Sequence, residues 1–115
     1  MPTTEDAPVT QPAVRIPELI QEAMSATRTI PGLARLQELN LVIRAELRHL
    51  IPCVRSQADQ ITHGTTAFYA RERAIADAEE ELSQGLSPSP LAAALAVAAL
   101  GRCLRTLDQF AGGDQ

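Results

Sequence analysis

The sequence predicts an all-α protein, a small antiparallel bundle of about four helices with a long, proline-kinked second helix. Three observations carry this. First, from Gly32 to Ile61 apolar residues recur every third or fourth position, through Leu33, Leu36, Ile43, Leu47, Leu50, Val54 and Ile61, interrupted by Asn40 and Gln57. That spacing is one face of a long helix, and Leu39, Ile51 and Ala58 widen it. Second, Leu, Ile, Val and Ala supply the hydrophobicity, and Phe68, Tyr69 and Phe110 are the aromatics of the whole chain. Such a core favours helices over strands. Third, proline and glycine divide the chain at Pro31-Gly32, His63-Gly64-Thr65-Thr66 and Gly85 to Pro90, where turns are the natural reading.

A chain of 115 residues suits one domain, set here at 16–111 between a flexible tail at 1–15 and a short one at 112–115. The first tail carries Pro2, Pro8 and Pro12 among polar residues and cannot bury enough apolar surface to offset the entropy of ordering. The first helix begins at Pro17, since proline has no N–H to leave unpaired at a helix start. Glu18 follows at the positive end of the helix dipole, and Ile16, Leu19, Ile20, Ala23 and Met24 form the apolar face. It fades by Thr27 to Thr29, because Pro31 disfavours helical geometry at Ile30.

The second helix opens after Pro31 and Gly32. Pro52 removes one backbone donor within it, yet the apolar line passes from Leu50 to Val54 in phase. A kink with its convex side outward is expected; two separate helices are the alternative. Asn40, in the apolar line, either fixes register as a buried polar group or sits at an exposed edge. Gly64 suits a left-handed helix end and Thr65 or Thr66 a cap for the third helix. That helix presents Phe68, Ile75, Ala78 and Leu82 on one line, with Ala67 and Ala74 beside it and Arg71 intruding. An arginine there covers apolar surface with its stem while its head reaches water. Arg73 and Asp77 are spaced to pair. Glu79, Glu80 and Glu81 crowd the negative end of the dipole and call for a positive neighbour. Ser89 as cap and Pro90 at the first position start the fourth helix. Its apolar line is expected along Ala93, Ala96, Leu100, Cys103, Leu107 and Phe110, with Val97 and Leu104 adjacent. The first half is apolar all round, so it is either enclosed by the bundle or used in a subunit contact.

All ten basic residues are arginine and the net charge is −4. An acidic chain is a poor non-specific partner for nucleic acid. Two sparse cysteines, Cys53 and Cys103, read as reduced thiols in the cytoplasm. The opening Met1 to Asp6 has neither a basic region nor an apolar run, so no secretory signal is expected. The longest wholly apolar run, Leu91 to Leu100, is too short to span a bilayer, so no membrane partner is expected.

No pattern for catalysis or cofactor binding stands out. His49 and Cys53 share a helix face at metal-ligand spacing, and His63 and Cys103 would be needed to complete a set of four. Without a Cys-x-x-Cys or His-Glu-x-x-His pattern, the plainer reading is a partly exposed histidine beside a small thiol, with no metal, no cofactor and no catalytic residue assigned. Arg44, Arg48 and Arg55 lie off the apolar line of the second helix. Their candidate role is an interaction surface, the alternative being ion pairs with the acidic third helix. Leu91 and Leu95, on the apolar half of the fourth helix, are the other surface candidates. Asn40, His49 and Arg71 are candidates for a polar pocket between helices.

The run Leu47-Arg48-His49-Leu50-Ile51-Pro52-Cys53-Val54, the alanine- and arginine-rich helix from Ala67 to Leu82, the Gly85-Leu86 break and the closing Leu100-Gly101-Arg102-Cys103-Leu104-Arg105-Thr106-Leu107 together resemble a family of small helical actinobacterial proteins. That family is a domain of unknown function often labelled a natural-product biosynthesis protein, and the arginine-only composition agrees with such a source. The resemblance spans roughly residues 33–110 and implies a genomic setting in secondary metabolism; it implies no catalytic residue. Glu79 to Glu81 depart from the arginine-rich third helix of the family. Three functions follow as expectations: a non-catalytic accessory that binds a protein, a second copy of itself among the candidates; a small-molecule-binding or enzymatic accessory; or a DNA-associated regulator using the arginines of the second helix.

Overall fold

The computed structural model describes residues 15–112. They form four helices, α1 (Ile16–Ser25), α2 (Leu33–Asp59), α3 (Thr66–Leu82) and α4 (Pro90–Gly112), and no strand among the described residues. Of the expected tails at 1–15 and 112–115, residues 1–14 and 113–115 lie outside them, while Gly112 is the last residue of α4. Pro17 sits in the first turn of α1, and Glu18 follows it. Thr65 caps α3, its hydroxyl accepting from the Phe68 N–H at 3.2 Å, and Gly64 takes the left-handed φ of 92° that the turn before it requires. At the start of α4 the Ser89 carbonyl accepts from Ala93 N–H, while the Ser89 N–H is held by the Ser87 hydroxyl. α2 is one continuous helix past the exposed Pro52, which removes the alternative of two separate helices.

The apolar line of α2 is the floor of the core. Leu36, Ile43, Leu47 and Val54 have no accessible surface. Facing them on α4, the enclosed line runs Ala93, Val97, Leu100, Leu104 and Leu107: it keeps Ala93, Leu100 and Leu107 of the expected line and takes Val97 and Leu104 from beside it, while Ala96, Cys103 and Phe110 are only half-buried. In a helix apolar on nearly every side, the choice between steps of three and four is undetermined until neighbours are placed. Asn40 is half-buried.

α4 touches all three other helices, whereas α1 and α3 do not touch each other. α1 meets α2 through a forked ion pair: the Arg35 Nε and Nη2 donate to the two Glu22 carboxylate oxygens at 2.6 and 2.5 Å. That pairing holds the Glu22 carboxyl below its usual range. Between α2 and α3 the polar contacts run in opposite order along the helices, Arg44 to Leu82, Arg55 to Glu79 and Gln57 to Arg71.

α4 is long and apolar enough to cross a membrane by length and composition alone, although its wholly apolar run is short; 44% of its most apolar window is buried against the bundle. A core helix of a folded domain has this character.

α1 and α4 approach closely at Gly101. A Cβ placed there would lie 2.7 Å from the Ala23 Cβ of α1. Overpacking of this kind costs about 1–3 kcal/mol, and the gain in helix propensity from glycine to alanine offsets up to ~1 kcal/mol of it. Gly101→Ala is therefore expected to lower stability in urea titration. Gly85→Ala, where an added Cβ meets nothing within 4 Å, is expected to leave the midpoint nearly unchanged.

Candidate interaction surface

The structure separates the three arginines of α2. Arg44, expected on the surface, is 9% exposed. Its Nε donates to the Asn40 side-chain oxygen at 2.7 Å, its Nη1 to the Leu82 carbonyl at 2.9 Å and its Nη2 to the Gln84 carbonyl. It therefore caps the last turn of α3 with positive charge, where the dipole is negative. The sequence held the signal. Arg44 lies seven residues before Ile51 and fourteen before Ala58, on the column that widens the apolar stripe. Arg55 pairs with Glu79 at 2.9 Å across to α3, both partners about half exposed, which makes it worth at most ~1 kcal/mol. Arg48 is exposed and makes no ion pair among the described residues. The expected basic stripe is thus one buried clamp, one paired side chain and one solvated one.

Asn40, His49 and Arg71 do not converge on a pocket. Asn40 serves Arg44, and His49 is exposed. Arg71 bridges to Gln57 at 3.2 Å and lies 4.6 Å over the Phe110 ring, tying α3 to α2 and α4. The physical reason is pitch: Asn40 and Gln57 on α2 are separated by ~25 Å at 1.5 Å per residue. The four residues of the metal alternative are also dispersed. Cys53 Sγ donates to the His49 carbonyl rather than pairing with its ring, His63 stacks on Phe68 at 4.4 Å, and Cys103 faces α3. No group of three or more His, Cys, Asp or Glu placed to hold a metal occurs among the described residues.

What remains is the outer face of α4, open between α1 and α3. Leu91 and Leu95 are each 55% exposed there. They lie eleven and seven residues before Arg102, so the three share one stripe. On the α3 side of this stripe is a groove of about 300 Å³ walled by Asp77, Glu80 and Glu81, with Arg102, Cys103 and Thr106 opposite. On the α1 side a second groove of about 430 Å³ is lined by Ile20, Met24, Thr27, Arg28 and Arg105. A third groove of about 440 Å³, between α2 and the α3–α4 loop, holds Asn40, Leu86, Pro88 and Leu41, the last 69% exposed. All three are open to solvent. Of the candidates from sequence, Leu91 and Leu95 alone are large apolar side chains standing in water. The grooves further along this face were not legible: one joins α1 to α4, far apart in the chain, and the other depends on how α3 and α4 are rotated about their own axes.

These features define an all-α bundle domain with open grooves on its surface. The chain belongs to a family of unknown function (DUF6415), whose model matches residues 14–111. No curated protein and no solved structure matches it.

The Arg44 clamp is tested by stability. Arg44→Met leaves two carbonyls at the end of α3 without their donor and is expected to cost about 1–3 kcal/mol, whereas Arg48→Met should stay within about 0.5 kcal/mol, both read from denaturant midpoints.

The cysteines give a pH test. Burial, then the Glu81 and Asp77 carboxylates, push the Cys103 thiol from an ordinary 9.0 up to about 11, against a smaller opposing pull from Arg102. A value raised in the folded state means that the protonated thiol's stabilising contribution is complete below pH 9.0 and is lost as pH climbs towards 11. Alkylation near neutral pH is expected to modify the exposed Cys53 well before Cys103, and the Cys103 rate to keep rising up to pH of about 11. Peptide mass mapping reads both sites.

Proposed function

We propose that the protein is a non-catalytic helical-bundle accessory that acts by binding another protein through the outer face of α4. The observation that carries this is the pair Leu91 and Leu95, half in water one turn apart on the outward side of a helix whose other sides pack against all three neighbours. Exposed apolar side chains scattered singly mean little, but paired apolar side chains continued along the same face by charged groups are the usual form of a protein contact. The polar residues that chemistry would need are instead spent on the fold: Arg44 on the α3 terminus, Arg71 on Gln57 and Phe110. The cytoplasmic location is inferred from the two sparse thiols. The actinobacterial source and the natural-product setting are inferred from the arginine-only composition and the Leu47 to Val54 stretch.

A photo-crosslinking residue placed at Leu95 in the native cell is expected to trap a protein adduct. The same residue at Asp59, exposed at the far end of α2, should trap none. Leu91→Glu should abolish the Leu95 adduct without changing the helical circular dichroism. Absence of any adduct at Leu95 would sink the proposal.

A further inference from the structure

We infer that the partner on this face is a second copy of the chain, packed with its α4 parallel to the first about a two-fold axis running along the helix. The inference rests on the reading of the outer face of α4 as a binding surface and names its occupant. Charge placement is what selects it.

The two walls beside the leucine stripe carry opposite charge. The α3 wall presents Asp77, Glu80 and Glu81. Their internal partners are slight: an exposed Arg73 at 3.4 Å from Asp77 and a Gln84 amide at 3.2 Å from Glu80. The α1 wall presents Arg28 and Arg105. Arg28 donates to the Ser25 hydroxyl, and neither arginine makes an ion pair among the described residues. Both walls stand at the same level along α4. The acidic one faces Ala99 to Thr106, and the basic one includes Arg105 itself.

Symmetry then decides the arrangement. In a two-fold dimer each surface element meets the other copy's image of the interface. An axis along α4 lays the acidic wall of each copy over the basic wall of the other, giving two identical pairings. It also brings Leu91 and Leu95 against their own counterparts. An axis across α4 makes the helices antiparallel: crossing at the level of the walls it sets acid over acid and base over base, a juxtaposition that costs affinity, and crossing at the leucines it carries the walls apart and leaves both unpaired. Arg102, which shares the stripe, lines its own acidic groove, so its charge has carboxylates beside it near the axis.

Sedimentation equilibrium of the full chain tests this. The wild type is expected at twice its 12.3 kDa mass. Leu91→Glu with Leu95→Glu is expected to run as a monomer of unchanged helicity. Arg28→Glu with Arg105→Glu, and separately Glu80→Arg with Glu81→Arg, are each expected to be monomeric alone and to associate when mixed. Axis direction is read by Leu91→Cys in a Cys53→Ser, Cys103→Ala background. Oxidation is expected to give a disulfide-linked dimer, and so is oxidation of Arg102→Cys in the same background, because only parallel helices bring two well-separated positions of the stripe each against its own counterpart. A wild type that stays monomeric at the highest attainable concentration overturns the inference. A dimer that survives the leucine substitutions, or lacks either the 91–91 or the 102–102 disulfide, overturns it as well. A monomer that still yields a Leu95 adduct with a different protein in cells leaves the binding surface standing without the second copy; a monomer with no adduct removes both.

Discussion

Everything in this fold depends on α4 being thin enough to be surrounded. A helix in contact with three neighbours needs small residues wherever two of them converge, and α4 supplies Ala93, Ala94, Ala98 and Gly101, all buried. Gly101 is where the constraint is tightest, since α1 comes so near that its Ala23 would contact any added carbon. The larger Val97, Leu100, Leu104 and Leu107 then fill the space towards α2. Small on one side and large on the other, α4 fixes the distances of α1 and α2 at once.

The arginines show how one residue type is divided among tasks by position. With lysine absent, every long cationic side chain is a planar fork able to hold two acceptors. Arg35 uses that fork on Glu22 to join α1 to α2, and Arg44 uses it on backbone carbonyls to join α2 to the end of α3. Arg44 and the Arg55–Glu79 pair together relieve the run of glutamates at the negative end of α3. Arg71 spans the opposite end of that helix. Arg28, Arg102 and Arg105 border the open side of α4 instead, where the charge they carry faces outward.

This division separates a polar framework that closes the bundle from a surface left unbalanced. The framework includes Asn40, which accepts from Arg44. It also accounts for the absence of convergence among Asn40, His49 and Arg71. The unbalanced surface is the outer side of α4, where Arg102 lies between walls of opposite sign and Leu91 and Leu95 stand exposed further towards the helix N-terminus.

The sequence alone determined the helices and the floor of the core. Strict spacing from Leu33 to Ile61, glycine at 64, threonine at 65 and proline at 17 and 90 each act within one or two turns, so their consequences are local and readable. It also held the Arg73–Asp77 pair and the demand for a cation near Glu79 to Glu81. Tertiary structure alone decided which side of α4 faces α2, since a helix apolar on nearly every side does not announce its inward line, and it decided which carbonyls Arg44 holds. It alone set the basic wall beside Arg105, which joins α1 to the distant α4, and the acidic wall beside Cys103, which depends on the rotation that packing gives α3 and α4.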